Sequence, residues 1–133
     1  KKVIEVGSLF PRRDLLYVED TVQGIISAIG NKKTIGEVIN LGSGFDVSVR
    51  QLIERIGIIT EKKIKFKISQ ERVRPKKSEV DRLLASNKKA KKILRWVPKY
   101  SGSSGLNYGL QKTIKWFSQS KNNNLYKTKF YNI

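Results

Sequence analysis

"RVRPKKSEVDRLLASNKKAKKILRW", residues 72–96, holds ten of the twenty-eight Lys and Arg residues of the chain, with carboxylates set into it at Glu79 and Asp81. It is not a plain basic tail. Pro75 restricts its own backbone and that of the residue before it, so the segment begins as a loop. The spacing then predicts a short helix from about Asn87 to Leu94, with its lysines on the outer face and Ile93, Leu94 and Trp96 turned inward. Charge, a stiffened loop and a packed helix in one stretch point to an ordered surface for an anionic ligand.

Composition narrows the ligand and the chemistry. The chain has 133 residues, 38% of them apolar, enough for one small domain with one core. A formal charge of +17 calls for a partner of opposite sign. With no cysteine, disulfides and thiolate metal sites are excluded, and with no histidine the commonest general base and metal ligand are missing. No metal site is expected. No apolar run approaches the roughly 18 residues of a membrane span, and Lys1 to Val6 lacks the apolar core of a signal peptide. A cytoplasmic protein without a membrane partner is the expectation. The chain begins at Lys1, directly in strand-like sequence, as a piece of a longer protein would.

Around the opening stretch, hydrophobic periodicity places the other elements. Lys2 to Gly7 reads as a short strand and "SLFPRRD" as a loop. Val18, Val22, Ile25, Ile26 and Ile29 form one helical face, with Asp20 near the helix start as a cap and Gly30–Asn31 at its end. "EVINLGSG" reads as a strand entering a glycine turn. Ser48 and Gln51 make a capping box for a helix whose buried face is Val49, Leu52, Ile53 and Ile56, with a stop at Gly57. Ile64, Phe66 and Ile68 alternate with lysines as a half-buried strand. Leu106, Leu110, Ile114 and Phe117 mark a last helix. Residues 119–133 read as a polar, mobile tail. "NLGSGFD" lacks the third glycine of a dinucleotide fingerprint and reads as a tight turn rather than a phosphate loop.

Taken in order, "RRDLLYVEDTVQGIISAI", "GEVINLGSGFDVSVRQLI", the stretch from "RP" to "VPKYS" and "GLQKTIKWF" resemble the C-terminal part of nucleotide-sugar epimerases and dehydratases. These are NAD(P)-dependent enzymes of the extended short-chain dehydrogenase/reductase family. The resemblance covers roughly Val3 to Phe117. It is closest to 4,6-dehydratases of UDP-N-acetylhexosamine or GDP-mannose. It implies an α/β fold: a small mixed substrate-binding lobe over residues 1–118, cut from a Rossmann enzyme. In that family the strand matching Glu37 to Leu41 joins the parallel sheet of the cofactor domain.

The resemblance also implies roles. The arginines of "RD" and "RP" grip the pyrophosphate of a nucleotide-diphosphate sugar, and by position they are Arg13 and Arg74. Arg12, beside Arg13, can take either role. Guanidinium suits the task because it offers paired donors and keeps its charge. Glu79 is placed to accept ribose hydroxyls. Asp14 and Asp20 read as structural acceptors, Tyr17 and Val18 as core, and Trp96 as a packing anchor. The cofactor loop and the tyrosine-x-x-x-lysine catalytic group of the family are missing, so no catalytic or cofactor-binding residue is expected in this chain. NAD or NADP would be held by an N-terminal cofactor domain, the expected partner, together with a possible second copy of the enzyme. "SGSSGLNYGL" and "IGIITEKK" depart from the family pattern.

Two rival readings remain open. One is a free-standing interaction module derived from such an enzyme. The other is a basic nucleic-acid-binding module, which the charge supports but for which no zinc-finger, basic-zipper or RNA-recognition signature is present.

Overall fold

The computed structural model describes residues 3–75 and 77–123. Five short strands and five helices follow one another along it. They are β1 (Ile4–Val6), β2 (Arg12–Asp14), α1 (Val18–Ala28), β3 (Asp46–Ser48), α2 (Val49–Thr60), β4 (Phe66–Ile68), β5 (Arg82–Leu83), α3 (Lys88–Leu94), α4 (Gly102–Phe117) and α5 (Ser120–Asn123). Single 3-10 turns lie at Lys32–Thr34 and Gln70–Arg72. The strands form two small sheets. β1 runs parallel to β4. β2 is the centre of a three-stranded sheet, antiparallel to β3 and parallel to β5. This is the mixed α/β lobe that the sequence predicts.

β2 corrects the loop expected at "SLFPRRD". Its residues are all polar, so periodicity gave no strand signal. Charge holds it instead: Asp46 on β3 pairs with Arg12 on β2 and with Arg82 on β5, linking all three strands through one carboxylate. Hydrogen bonds from these guanidinium groups, those of Arg12 first, hold the Asp46 carboxyl down at about 2.

α2 starts as predicted. Ser48 accepts from the Gln51 amide and Gln51 reaches back to the Ser48 amide. However, it runs through Gly57, the expected stop, to Thr60. Glu61 ends it in the left-handed region, with its amide on Ile58 and the Lys62 amide on Gly57. A side chain at Gly57 would meet the returning Lys62 carbonyl at 3.0 Å, so glycine there serves the close return of the chain.

The core is small. Leu9, Val47, Ile53, Ala90, Trp96 and Leu106 are its buried apolar residues. α2 and α4 pack together, and Arg55 Nη1 donates to Asn107 Oδ1 across them at 2.7 Å. Asp20 does not cap its own helix. It is buried and accepts from the amides of Lys99 (2.8 Å) and Tyr100 (2.9 Å), while its carbonyl takes the Trp96 indole N–H. One acid thus anchors α1 to the segment that leads into α4. Trp96 is 5% exposed, a packing anchor.

Two expectations of burial fail together. The apolar face of α1, Val18, Val22, Ile25, Ile26 and Ile29, is exposed, and so is Val38. Glu37 to Leu41 is not a strand and joins no sheet among the described residues. By the resemblance, the second of these segments joins the parallel sheet of the cofactor domain. An apolar stripe and an unpaired extended segment side by side mark a face made to be covered. In the expected tail, Ser120–Asn123 is helical and Asn122 Nδ2 donates to the Trp116 carbonyl; residues 124–133 lie outside the described residues.

Candidate functional site

An open cleft of about 320 Å³ lies between the end of β1, β2, the start of α2 and the turn after β4. Its walls are Val6, Gly7, Ser8, Pro11, Arg13, Val49, Arg72, Arg74 and Glu79. The three residues singled out in the sequence, Arg13, Arg74 and Glu79, are therefore brought together.

Strand alternation explains which of the two adjacent arginines reaches the cleft. Side chains along β2 point to opposite faces in turn. Arg12 lies on the Asp46 side, with Nη2–Oδ1 2.8 Å and a further bond to Gln51 Oε1. Asp14 shares that side. Arg13 points the other way, where Nη2 meets Glu79 Oε1 at 3.0 Å and Nη1 donates to the Val80 and Arg12 carbonyls at 2.7 and 2.9 Å. All the Arg13 contacts hold the guanidinium plane in one orientation. Arg12 is thus a strand staple, and Arg13 is the one of the two that lines the cleft.

Pro75 places Glu79. Its carbonyl accepts from the amides of Ser78 (2.8 Å) and Glu79 (3.1 Å) and from Ser78 Oγ (3.0 Å), closing a tight turn. That turn brings Glu79 back beside Arg13 while Arg74 stays exposed at the cleft rim. Arg72, which the sequence reading missed, also lines the cleft. Arg72 and Arg74 are two apart around an extended residue, a spacing that carries both to one side. Gly7 makes their approach possible, since a side chain there would lie 2.3 Å from the Arg72 carbonyl oxygen.

The glycine turn at 42–44 holds a carboxylate of this chain. Asp14 Oδ1 accepts from the Ser43 amide and hydroxyl, and Oδ2 from the amides of Gly44 (3.1 Å) and Ala85 (3.3 Å). Asn87 bonds both backbone groups of Gly42. The pyrophosphate of a dinucleotide does not fit where Asp14 already satisfies the amides. Burial, reinforced by the hydrogen bond to Glu19, pushes the Tyr100 hydroxyl up to about 12, so it stays protonated at neutral pH. Tyr17 is shifted the same way, chiefly by burial. Tyr17 is half-buried and Val18 is exposed, a correction for Val18, which was expected in the core. Among the described residues no three metal-ligating side chains group together.

The family profile described as GDP-mannose 4,6 dehydratase matches residues 1–108. The chain belongs to this family. Its relatives are NAD-dependent nucleotide-sugar epimerases and dehydratases, as the sequence motifs imply. A UDP-glucuronate 4-epimerase of Thermodesulfobacterium geofontis is 36% identical over 110 residues, which are 81% of this chain and 31% of that protein. Among solved structures, an epimerase from Methanothermobacter thermautotrophicus superposes with a TM-score of 0.75 at 32% identity, covering 92% of this chain and 34% of the other. The UDP-glucuronic acid 4-epimerase of Bacillus cereus, solved with UDP-glucuronic acid and NAD, gives a TM-score of 0.73 at 27% identity, covering 93% and 35%. This member of the dehydratase family therefore spans about a third of the length of the relatives it matches. The cleft and the uncovered α1 face both lie within the matched residues.

Proposed function

We propose that residues 1–118 form the nucleotide-sugar-binding lobe of an NAD(P)-dependent 4,6-dehydratase or epimerase. The single observation behind this is the cleft: Arg13, Arg72, Arg74 and Glu79 converge on it from separated parts of the chain. Three guanidinium groups line the cleft with one carboxylate among them, a donor set that suits a diphosphate bridging two sugars. Arg72 and Arg74 take the phosphate oxygens. Arg13, held flat by Glu79 and two carbonyls, presents its remaining donors to the same bridge. Glu79 spends Oε1 on Arg13, and Oε2 accepts a ribose hydroxyl.

Catalysis and the nicotinamide cofactor belong, in this reading, to a cofactor domain that covers α1 and pairs with Glu37–Leu41. The dinucleotide supplies hydride exchange at the sugar. The residues of this lobe bind and orient the substrate and take no proton from it. The site of action is cytoplasmic; no described helix is long and apolar enough to cross a membrane.

Nuclear magnetic resonance tests the reading. Titration of the chain with UDP and with GDP should move the side-chain resonances of Arg13, Arg72 and Arg74 and the amide of Glu79. Shifts confined to the lysines of α3 would contradict it and favour a general polyanion binder.

A further inference from the structure

We infer that the corner made by the Ile29–Gly36 turn and α3 is a docking face for an anionic lipid bilayer. None of its residues lines the nucleotide cleft. The turn projects. Gly30 and Gly36 bracket it with φ of 74° and 75°, and open space surrounds both. Its tip is firm: Asn31 Oδ1 accepts from the Lys33 amide, and Thr34 Oγ1 donates to the Asn31 carbonyl. Asn31 Nδ2 donates to the Ile93 carbonyl at 3.2 Å, which fixes the turn against the end of α3. Lys32 and Lys33 thereby join Lys88, Lys91, Lys92 and Arg95, all exposed.

The charge on this corner is unbalanced. No acid occurs between Asp20 and Glu37, and none follows Asp81 to the end of the sequence. Glu37 is paired with Lys89. Along α3, Lys88 stands three and four residues from Lys91 and Lys92, spacings at which like charges destabilise a helix. A polyanionic surface would relieve that repulsion.

The apolar residues select the bilayer among polyanions. Ile35, at the far end of the turn and outside the apolar face of α1, is 80% exposed. Lysines beside a projecting aliphatic side chain suit headgroups over an acyl boundary. A nucleic-acid surface would instead pair basic residues with exposed aromatic rings for stacking. No aromatic residue occurs in residues 18–44 or 82–95, and Trp96 is buried. The sequence reading expected no membrane partner because no segment spans a bilayer; docking on its surface needs no span.

Cosedimentation of the chain with phosphatidylcholine vesicles, with and without phosphatidylglycerol, tests this. Binding should require the anionic lipid. The double variant Lys32→Glu, Lys33→Glu should lower partitioning at least about tenfold. The charge-matched double variant Lys62→Glu, Lys63→Glu, exposed on the turn after α2, should change it far less. Ile35→Ser, which alters no charge, should lower it about fivefold at raised salt, where aliphatic insertion dominates. All five side chains are exposed, so circular dichroism should be unchanged. Equal losses in the two charge variants would mean diffuse attraction and overturn the inference. So would an indifferent Ile35→Ser, or a short DNA duplex that displaces the chain from the vesicles.

Discussion

Arg13 Nη2 lies 3.0 Å from Glu79 Oε1, although the two residues are 66 positions apart. Both side chains are partly buried, and both line the same cleft. The pair ties the central strand of the sheet to the loop that follows Pro75. In the proposed function it divides the work of Glu79 between holding an arginine and receiving a ligand hydroxyl.

Glu79→Gln checks that division. The amide oxygen still accepts from Arg13, so the fold should be kept. The charged acceptor for the ribose is lost, and a charge-assisted hydrogen bond is about twice as strong as a neutral one. UDP affinity should fall about tenfold. Calorimetric titration of wild type and variant measures it; methyl diphosphate, which has no ribose, should bind both equally.

Asp46 makes stability depend on acid pH. Its carboxyl titrates at about 2 in the folded chain against an ordinary 3.8, with hydrogen bonds from Arg12 and Arg82 as the main cause. The unfolded chain therefore binds the proton more readily. The contribution of Asp46 is complete above about pH 4 and drains away as the pH falls towards 2. Urea unfolding midpoints measured from pH 5 to pH 2 should fall more steeply for wild type than for Asp46→Asn.

Gly7→Ala tests the approach of the arginine turn to β1. The added carbon would sit 2.3 Å from the Arg72 carbonyl oxygen, a backbone atom that cannot swing aside. The turn must shift, at about 1–3 kcal/mol of stability. Nucleotide affinity should fall with it, because Arg72 and Arg74 move. Denaturant unfolding and UDP titration read the two effects separately.

Asp20→Ala would strand the amides of Lys99 and Tyr100, which now donate to a carboxylate that is 3% exposed. A stranded buried donor costs about 1–3 kcal/mol, so a loss of about 3 kcal/mol is expected in urea unfolding. A loss under about 0.5 kcal/mol, the range of ordinary surface changes, would mean that α1 is not anchored through this acid.

The sequence made the helices legible because apolar spacing and the Ser48–Gln51 box are local signals. It hid β2, whose "RRD" is polar and whose partners lie 34 and more residues away in Asp46 and Arg82. It misplaced the end of α2, because Gly57 serves a close return of the chain rather than a stop. It marked Val22, Ile25 and Ile26 correctly as one helical face but could not say what covers them; nothing described in this chain does. At the cleft, Arg13, Arg74 and Glu79 were nameable only through resemblance to a family. Arg72 could have been found from its two-residue spacing to Arg74. Nothing local distinguished Arg12 from Arg13; the alternation of β2 does.

The central claim is that a cleft arginine, and not the overall charge, binds the nucleotide. UDP, GDP and a short DNA duplex titrated against wild type, Arg74→Ala and Lys91→Ala at two salt concentrations test it most directly. Arg74→Ala should weaken both nucleotides by roughly one to two decades, the worth of a charge-assisted hydrogen bond of about 1.5–3 kcal/mol. Lys91→Ala, exposed on α3, should leave nucleotide affinity unchanged. If the two substitutions weaken binding equally, and the duplex outcompetes both nucleotides with a steep salt dependence, the chain is a general polyanion binder and the pyrophosphate assignment is wrong.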